Sequence, residues 1–135
     1  MQTDILCPCW SKKKYHDCCE KYHKGNLPET ALALMRSRYS AYALALADYI
    51  MLTTHPKNPI AIMEKETRRK EILEFSRKTH FENLEILDFI DGPEIAYVTF
   101  KAHLKQGKKD ASFLEKSRFE KINGRWLYWD GIIER

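Results

Sequence analysis

An α+β fold, helices first and an antiparallel sheet after them, is what this chain of 135 residues predicts, with a short cysteine-rich knuckle in front. Three observations carry that expectation. All four cysteines lie between positions 7 and 19. From Ala31 onward Ala, Leu and Met recur at helical spacing. After His80 the apolar period falls from about 3.6 residues to 2. The composition, 44% hydrophobic and 31% charged, suffices for one buried core. Five glycines and five prolines exclude a collagen-like or linker-like polymer. No apolar run approaches the roughly 20 residues that span a bilayer, so no membrane insertion is expected. Met1 to Leu6 has neither a basic n-region nor an apolar h-region, which predicts no secretory leader and a cytoplasmic protein. The net charge of +4 permits weak attraction to anionic partners without diagnosing nucleic-acid binding.

The knuckle comes first. Cys7 and Cys9 are separated by one residue, and Cys18 and Cys19 are adjacent. Neither pair closes a relaxed disulfide loop, so a cross-link would have to run between the pairs. Two thiolate pairs suit a tetrahedral ion instead, and a soft, redox-silent set of four sulfurs favours Zn2+. His16 and His23 are alternative ligands for one of the four places, and four reduced thiols without an ion are the remaining alternative. Four thiolates leave no open coordination position, so the expected site is structural and its metal supplies the folding energy of a short segment. Pro8 stiffens the first pair. Lys12, Lys13 and Lys14 would partly offset the negative charge of the metal–thiolate group.

The polar stretch EKYHKGNLPE, with Gly25 and Pro28, reads as a linker. Thr30 is the expected N-cap of a helix running from Ala31 to about Ala47. Leu34, Arg38, Ala41 and Ala45 share one stripe of it, and Met35, Tyr39, Tyr42, Leu46 and Tyr49 share the next. Asp48 is expected to cap a short helix that ends before His55-Pro56. Asn58-Pro59 reopens a helical pattern, dense in charge from Glu64 to Lys78. Residues 57–80 hold seven basic and four acidic side chains, as in a solvated helix laced with pairs such as Lys70–Glu74.

Leu84, Ile86, Leu87, Phe89 and Ile90 then form a strand, turned at Asp91-Gly92-Pro93. Ala96, Val98, Phe100, Ala102 and Leu104 alternate against Ile95, Tyr97, Thr99, Lys101 and His103, and Gln106-Gly107-Lys108 closes the next hairpin. Phe113, Glu115, Ser117 and Phe119 alternate against Leu114, Lys116, Arg118 and Glu120. Asn123-Gly124 is a type I′ turn signal, and Trp126–Trp129 is the expected last strand. Every glycine after Gly25 falls at an expected turn or strand end.

The run CPCWSKKKYHDCC resembles the SEC-C zinc motif, C-x-C-x8-C-C or C-x-C-x8-C-H. GNLPETALALMRSRYSAYALALADYIMLTTHP, VTFKAH and EKSRFEKINGRWLYWDG resemble successive blocks of the YchJ family of uncharacterised bacterial proteins. The resemblance implies a zinc knuckle with its linker at 1–27 and, at 28–135, helices packed on a curved antiparallel sheet in the nuclear-transport-factor-2-like cone. Trp10-Ser11-Lys12 stands where the motif usually has Gly-Ser-Gly, so the tight turn must form without glycine. Thr54 stands where the family usually has Trp.

Cones of this kind bind ligands between the long helix and the concave sheet face. The candidate ligand-binding residues are Arg38, Tyr42, His55, Glu115 and Ser117, with Arg36, Tyr39 and Tyr128 nearby. Arg38 sits on an apolar stripe, where a guanidinium needs a carboxylate or a ligand anion. A buried Arg38–Glu115 ion pair would satisfy both residues without any function. An enzyme would use His55 or Glu115 as general base, with Arg38 or Tyr42 steadying a developing anion. No nucleophile elbow, phosphate-cradling loop or paired-carboxylate motif accompanies them, and no catalytic residue is assigned. Two function classes remain. The first is an adaptor whose knuckle docks on a protein, the ribosome or nucleic acid through Trp10, Lys12 to Lys14 and Tyr15. The second is a small-molecule binder or enzyme with an anionic ligand near Arg38.

Overall fold

The computed structural model describes residues 5–134, and within it the cysteine segment folds back on itself before any long helix begins. Part of the leader expectation, Met1 to Asp4, lies outside the described residues. Leu6 bridges Lys14, and the amides of Cys7 and Tyr15 donate to Lys13 O and Ile5 O, each at 2.8 Å. A 3-10 turn at Tyr15–Asp17 leads into the single helical turn α1 (Glu20–His23).

Helix α2 (Ala31–Ala43) starts where Thr30 caps it, the hydroxyl accepting from the Ala33 amide at 3.0 Å. It ends earlier than the expected Ala47. Ala45 is left-handed, with φ of 60°. The Ala45 amide donates to Tyr42 O at 3.2 Å and the Leu46 amide to Ala41 O at 2.8 Å. These paired bonds close a helix whose following residue is left-handed. Such an end is normally announced by glycine, so an alanine conceals it. Helix α3 (Ala47–Leu52) follows, and Leu46 rather than Asp48 is its cap residue. Asp48 lies in the first turn and pairs with Arg69. Asn58 caps a 3-10 turn at Pro59–Ile62 by accepting from the Ile60 amide at 2.9 Å. Glu64 then caps α4 (Lys65–Lys78), accepting from Thr67 N and Glu66 N. Glu74 pairs with Arg77 instead of the expected Lys70.

The sheet contains β1 (His80–Ile90), β2 (Ile95–Gln106), a two-residue β3 (Lys109–Asp110), β4 (Phe113–Ile122) and β5 (Arg125–Glu134). The long strands run antiparallel in the order β1-β2-β4-β5, and β3 pairs with the end of β2. The alternation in β2 is the expected one, with Ala96, Val98, Phe100, Ala102 and Leu104 all buried. Asn123 and Gly124 both have positive φ, as a type I′ turn requires. Irregularities in the β1–β2 register at Phe81/Asn83 and Ile86/Asp88, and beside Phe119 in β4–β5, bend and coil the sheet.

β5 is longer than the expected Trp126–Trp129, because pairing resumes past the irregularity at Trp129 and carries through Gly131. Gly131 is therefore inside a strand, not at its end. A Cβ there would sit 2.2 Å from Glu115 Oε2, so the missing side chain makes room for that carboxylate. The core lies between α2, which contributes Leu34, Met35 and Tyr39, and a sheet face carrying Val98, Phe100, Phe119 and Trp126.

Candidate functional site

The four sulfurs of Cys7, Cys9, Cys18 and Cys19 all lie within 4.8 Å of one another. Cys9 Sγ is 3.6 Å from Cys18 Sγ, and Cys18 Sγ is 3.9 Å from Cys19 Sγ. These separations are far beyond a disulfide bond of about 2.05 Å. They do match the edge of about 3.8 Å in a sulfur tetrahedron built on metal–sulfur bonds of about 2.3 Å. The donor set therefore fits a zinc-like cation, with three of the four cysteines buried. Packed this closely, the thiols perturb one another. Hydrogen bonds from Cys19 and Cys7 hold Cys9 far below the usual thiol range, and those with Cys7 and Cys9, with burial, push Cys19 up.

The chain makes the turn between the cysteine pairs by placing Trp10 (φ 63°) and Lys12 (φ 73°) in the left-handed region. These are the two positions at which the resembled motif carries glycine. Trp10 also fixes the knuckle to the sheet, its Nε1 donating to Phe81 O at 3.3 Å.

Neither histidine joins the cluster. His23 Nε2 donates to Ser37 O at 2.9 Å, so Nδ1 accepts from Tyr15 Oη at 2.6 Å. His16 pairs with Glu20 at the surface. A cation beside the sulfurs comes from α2 and not from the lysine run. Arg36 Nη1 reaches Cys9 O at 2.9 Å and lies 3.8 Å from Cys9 Sγ, while Lys12, Lys13 and Lys14 are exposed. Arg36 is one helical position off the core stripe of α2, and that offset is the signal that would have placed it here.

A separate cavity of about 430 Å3 opens between α2, α4 and the concave sheet face. Arg38, Tyr42, Glu115 and Ser117 all line it. Arg38 is only 8% exposed, yet it forms no ion pair with Glu115. Its Nη1 donates to Thr53 Oγ1 at 2.8 Å, Ile50 O at 3.1 Å and Thr54 Oγ1 at 3.3 Å. The guanidinium lies over the Tyr128 ring, 4.7 Å from its centroid. Tyr128 thereby touches both charges. Its hydroxyl donates to Glu115 Oε2 at 2.8 Å, and Ser117 Oγ donates to the same oxygen at 2.5 Å. Burial, reinforced by the Glu115 charge, raises the Tyr128 pKa well above the ordinary phenol value, which keeps it a donor.

Tyr39 reaches Asn83 O at 2.9 Å, and Tyr42 packs edge-on against Phe75. His55 lies elsewhere. It is 1% exposed, stacked on Trp129 at 4.4 Å. Its Nδ1 accepts from the Lys57 amide at 3.0 Å, which leaves Nε2 to donate to Glu120 Oε1 at 2.6 Å. Glu120 follows Phe119 in β4 and so points to the opposite sheet face from Glu115. The His55 amide also donates to Tyr128 O at 2.7 Å, and Thr54 bridges Tyr128, so this segment seals part of the β5 edge. Arg68 and Glu71 of α4 line the cavity as well. The charge density of α4 hides them, because it reads as a solvated face.

A family model described as the YchJ middle NTF2-like domain matches residues 30–131. The solution structure of a SEC-C motif containing protein from Rhodopseudomonas palustris is similar at 32% identity, covering 95% of this chain and 98% of that one, with a TM-score of 0.80. The crystal structure of a SEC-C motif containing protein from Psychrobacter arcticus is similar at 29% identity, covering 100% of this chain and 86% of that one, with a TM-score of 0.82.

Proposed function

The chain belongs to the YchJ family, and on that premise we propose that it is a zinc-braced binding protein, in which a knuckle at 1–27 supports a cone at 28–135 that takes up a small organic molecule. The observation that carries this reading is at Arg38. Its Nη1 is anchored by three acceptors, while Nε and Nη2 have none among the described residues and retain access to the cavity. A guanidinium held by one nitrogen in the wall of an apolar cavity, with its other nitrogens unclaimed, is arranged to grip an acidic group. Zn2+ in the knuckle would be structural, since four thiolates fill its coordination.

The test is an NMR titration with 3-phenylpropanoate against the wild type and Arg38→Met. Binding that shifts cavity amides and is lost in the variant, with the melting point little changed, supports the site. A variant that melts much earlier yet binds the probe equally well would make Arg38 a structural residue.

A second reading, the adaptor, is favoured by a different surface. Ile5, Leu6 and Trp10 are exposed beside Lys12 and Lys13 on the knuckle. An apolar patch with a basic rim suits a protein partner, or the phosphates of a ribosome or other nucleic acid. Retrieval of the same proteins by the wild type and by Cys7→Ser/Cys9→Ser would exclude the knuckle as a recruiting surface.

A further inference from the structure

The cavity's charges are balanced, and that balance constrains what the cavity takes. Arg38 and Glu115 lie at its buried wall, and Arg68 and Glu71 add one charge of each sign from α4. The two buried charges are not spent on each other: Tyr128 contacts both, its ring under Arg38 and its hydroxyl on Glu115. Each keeps unpartnered capacity. Arg38 retains Nε and Nη2. Glu115 uses Oε2 for both hydroxyl donors and leaves Oε1 with no partner among the described residues. With Oε2 taken by two hydroxyl donors, Oε1 is the carboxyl oxygen left to meet a ligand.

An anion alone would meet Arg38 favourably but would lie near the Glu115 carboxylate, in a setting where repulsion is weakly screened. A cation alone has the mirror problem. A molecule bearing both groups answers both walls and leaves no charge buried without a partner. The rest of the lining is aromatic and aliphatic, with Phe75, Phe81, Phe100 and Phe113 among it.

We propose that the ligand is a small zwitterion with an apolar or aromatic body, of the amino-acid type, its carboxylate on Arg38 and its ammonium on Glu115. This rests on the reading of the cavity as a binding site, and names its substrate class.

The experiment compares four probes by NMR titration of the zinc-loaded full chain: L-phenylalanine, 3-phenylpropanoate, 2-phenylethylamine and indole. The expected order puts phenylalanine first, with each singly charged analogue weaker by about tenfold or more, since each forfeits one charge-assisted contact. Glu115→Gln should bring phenylalanine down to the level of 3-phenylpropanoate while leaving the latter no weaker. If 3-phenylpropanoate equals or exceeds phenylalanine on the wild type, the ligand class is wrong and the cavity remains an anion site. If indole alone shifts the cavity amides, the charged walls do not select at all. If none of the four does, the binding-site reading falls together with the proposal.

Discussion

The cysteine knuckle and the cavity wall are both buried polar regions, but the first is closed and the second is open. In the knuckle, His23 has both ring nitrogens engaged, Arg36 is spent on Cys9 O, and the four sulfurs face one another. In the cavity, Arg38 and Glu115 each keep hydrogen-bonding capacity that no described residue meets. Burying a polar group costs free energy unless it is satisfied, so capacity left at a cavity wall is open to a ligand or to water. The two regions therefore differ in how completely their polar groups are satisfied, and the proposed binding site is the less satisfied one.

The largest test removes one sulfur from the closed region. Cys9→Ser should lower bound zinc from about one per chain to near none, measured by elemental analysis. The loss should be worth several kcal/mol or more to the segment, whose apolar surface is small. Amide exchange should lose protection over residues 7–24 while β2 and β4 stay protected, because the sheet core is a separate cluster from the cysteines. Loss of protection in β2 as well would show that the two regions fold as one unit. The mirror experiment is Phe119→Ala, which empties the centre of the sheet core. A cost of about 3–5 kcal/mol in denaturant unfolding is expected, with zinc stoichiometry unchanged.

A smaller effect probes the open wall. Gly131→Ala places a Cβ against the Glu115 carboxylate and should cost about 1–3 kcal/mol. In a Glu115→Ala background the obstructing side chain is gone, so the same substitution should become nearly neutral. Additive costs in the double mutant would mean that Gly131 is constrained by something other than Glu115.

How far all this could be read from the sequence follows the same division. β2 was legible because one of its faces is buried and the other is not, and Asn123-Gly124 was legible because a type I′ turn needs two positive φ values. The cysteine cluster was legible because its ligands are close in sequence. The cavity was only half legible. Arg38, Tyr42, Glu115 and Ser117 could be assigned to inward faces by period, but period does not say that Tyr128 contacts both Arg38 and Glu115. That His55 lies outside the cavity lining was hidden for a related reason. Its partner Glu120 is set by strand parity, and its stacking on Trp129 depends on the β5 irregularity, which leaves no mark in the pattern. The end of α2 escaped notice because Ala45 occupies a position that glycine usually signals.

That last point yields the smallest effects and the finest comparison. Ala45, in the cone, and Lys12, in the knuckle, both hold left-handed backbone with a side chain attached. A non-glycine residue there costs about 1–2 kcal/mol in the folded state. Glycine recovers most of that but frees the unfolded chain, which returns about 0.4–1 kcal/mol. Each substitution to glycine should therefore stabilise by roughly 0.5–1 kcal/mol, the balance of those two effects. Where the gain is seen should differ. Ala45→Gly should raise the unfolding midpoint of the sheet core and leave zinc release to a chelator unchanged. Lys12→Gly should slow zinc release and leave the core midpoint unchanged, since the turn it relaxes belongs to the cysteine cluster and not to the sheet core. Trp10→Gly relieves similar strain but forfeits the indole contact with Phe81 O, so it should gain nothing and loosen the knuckle from β1. If Lys12→Gly instead raised the core midpoint, order would pass from knuckle to cone, and the closed region would be a part of the open one's scaffold.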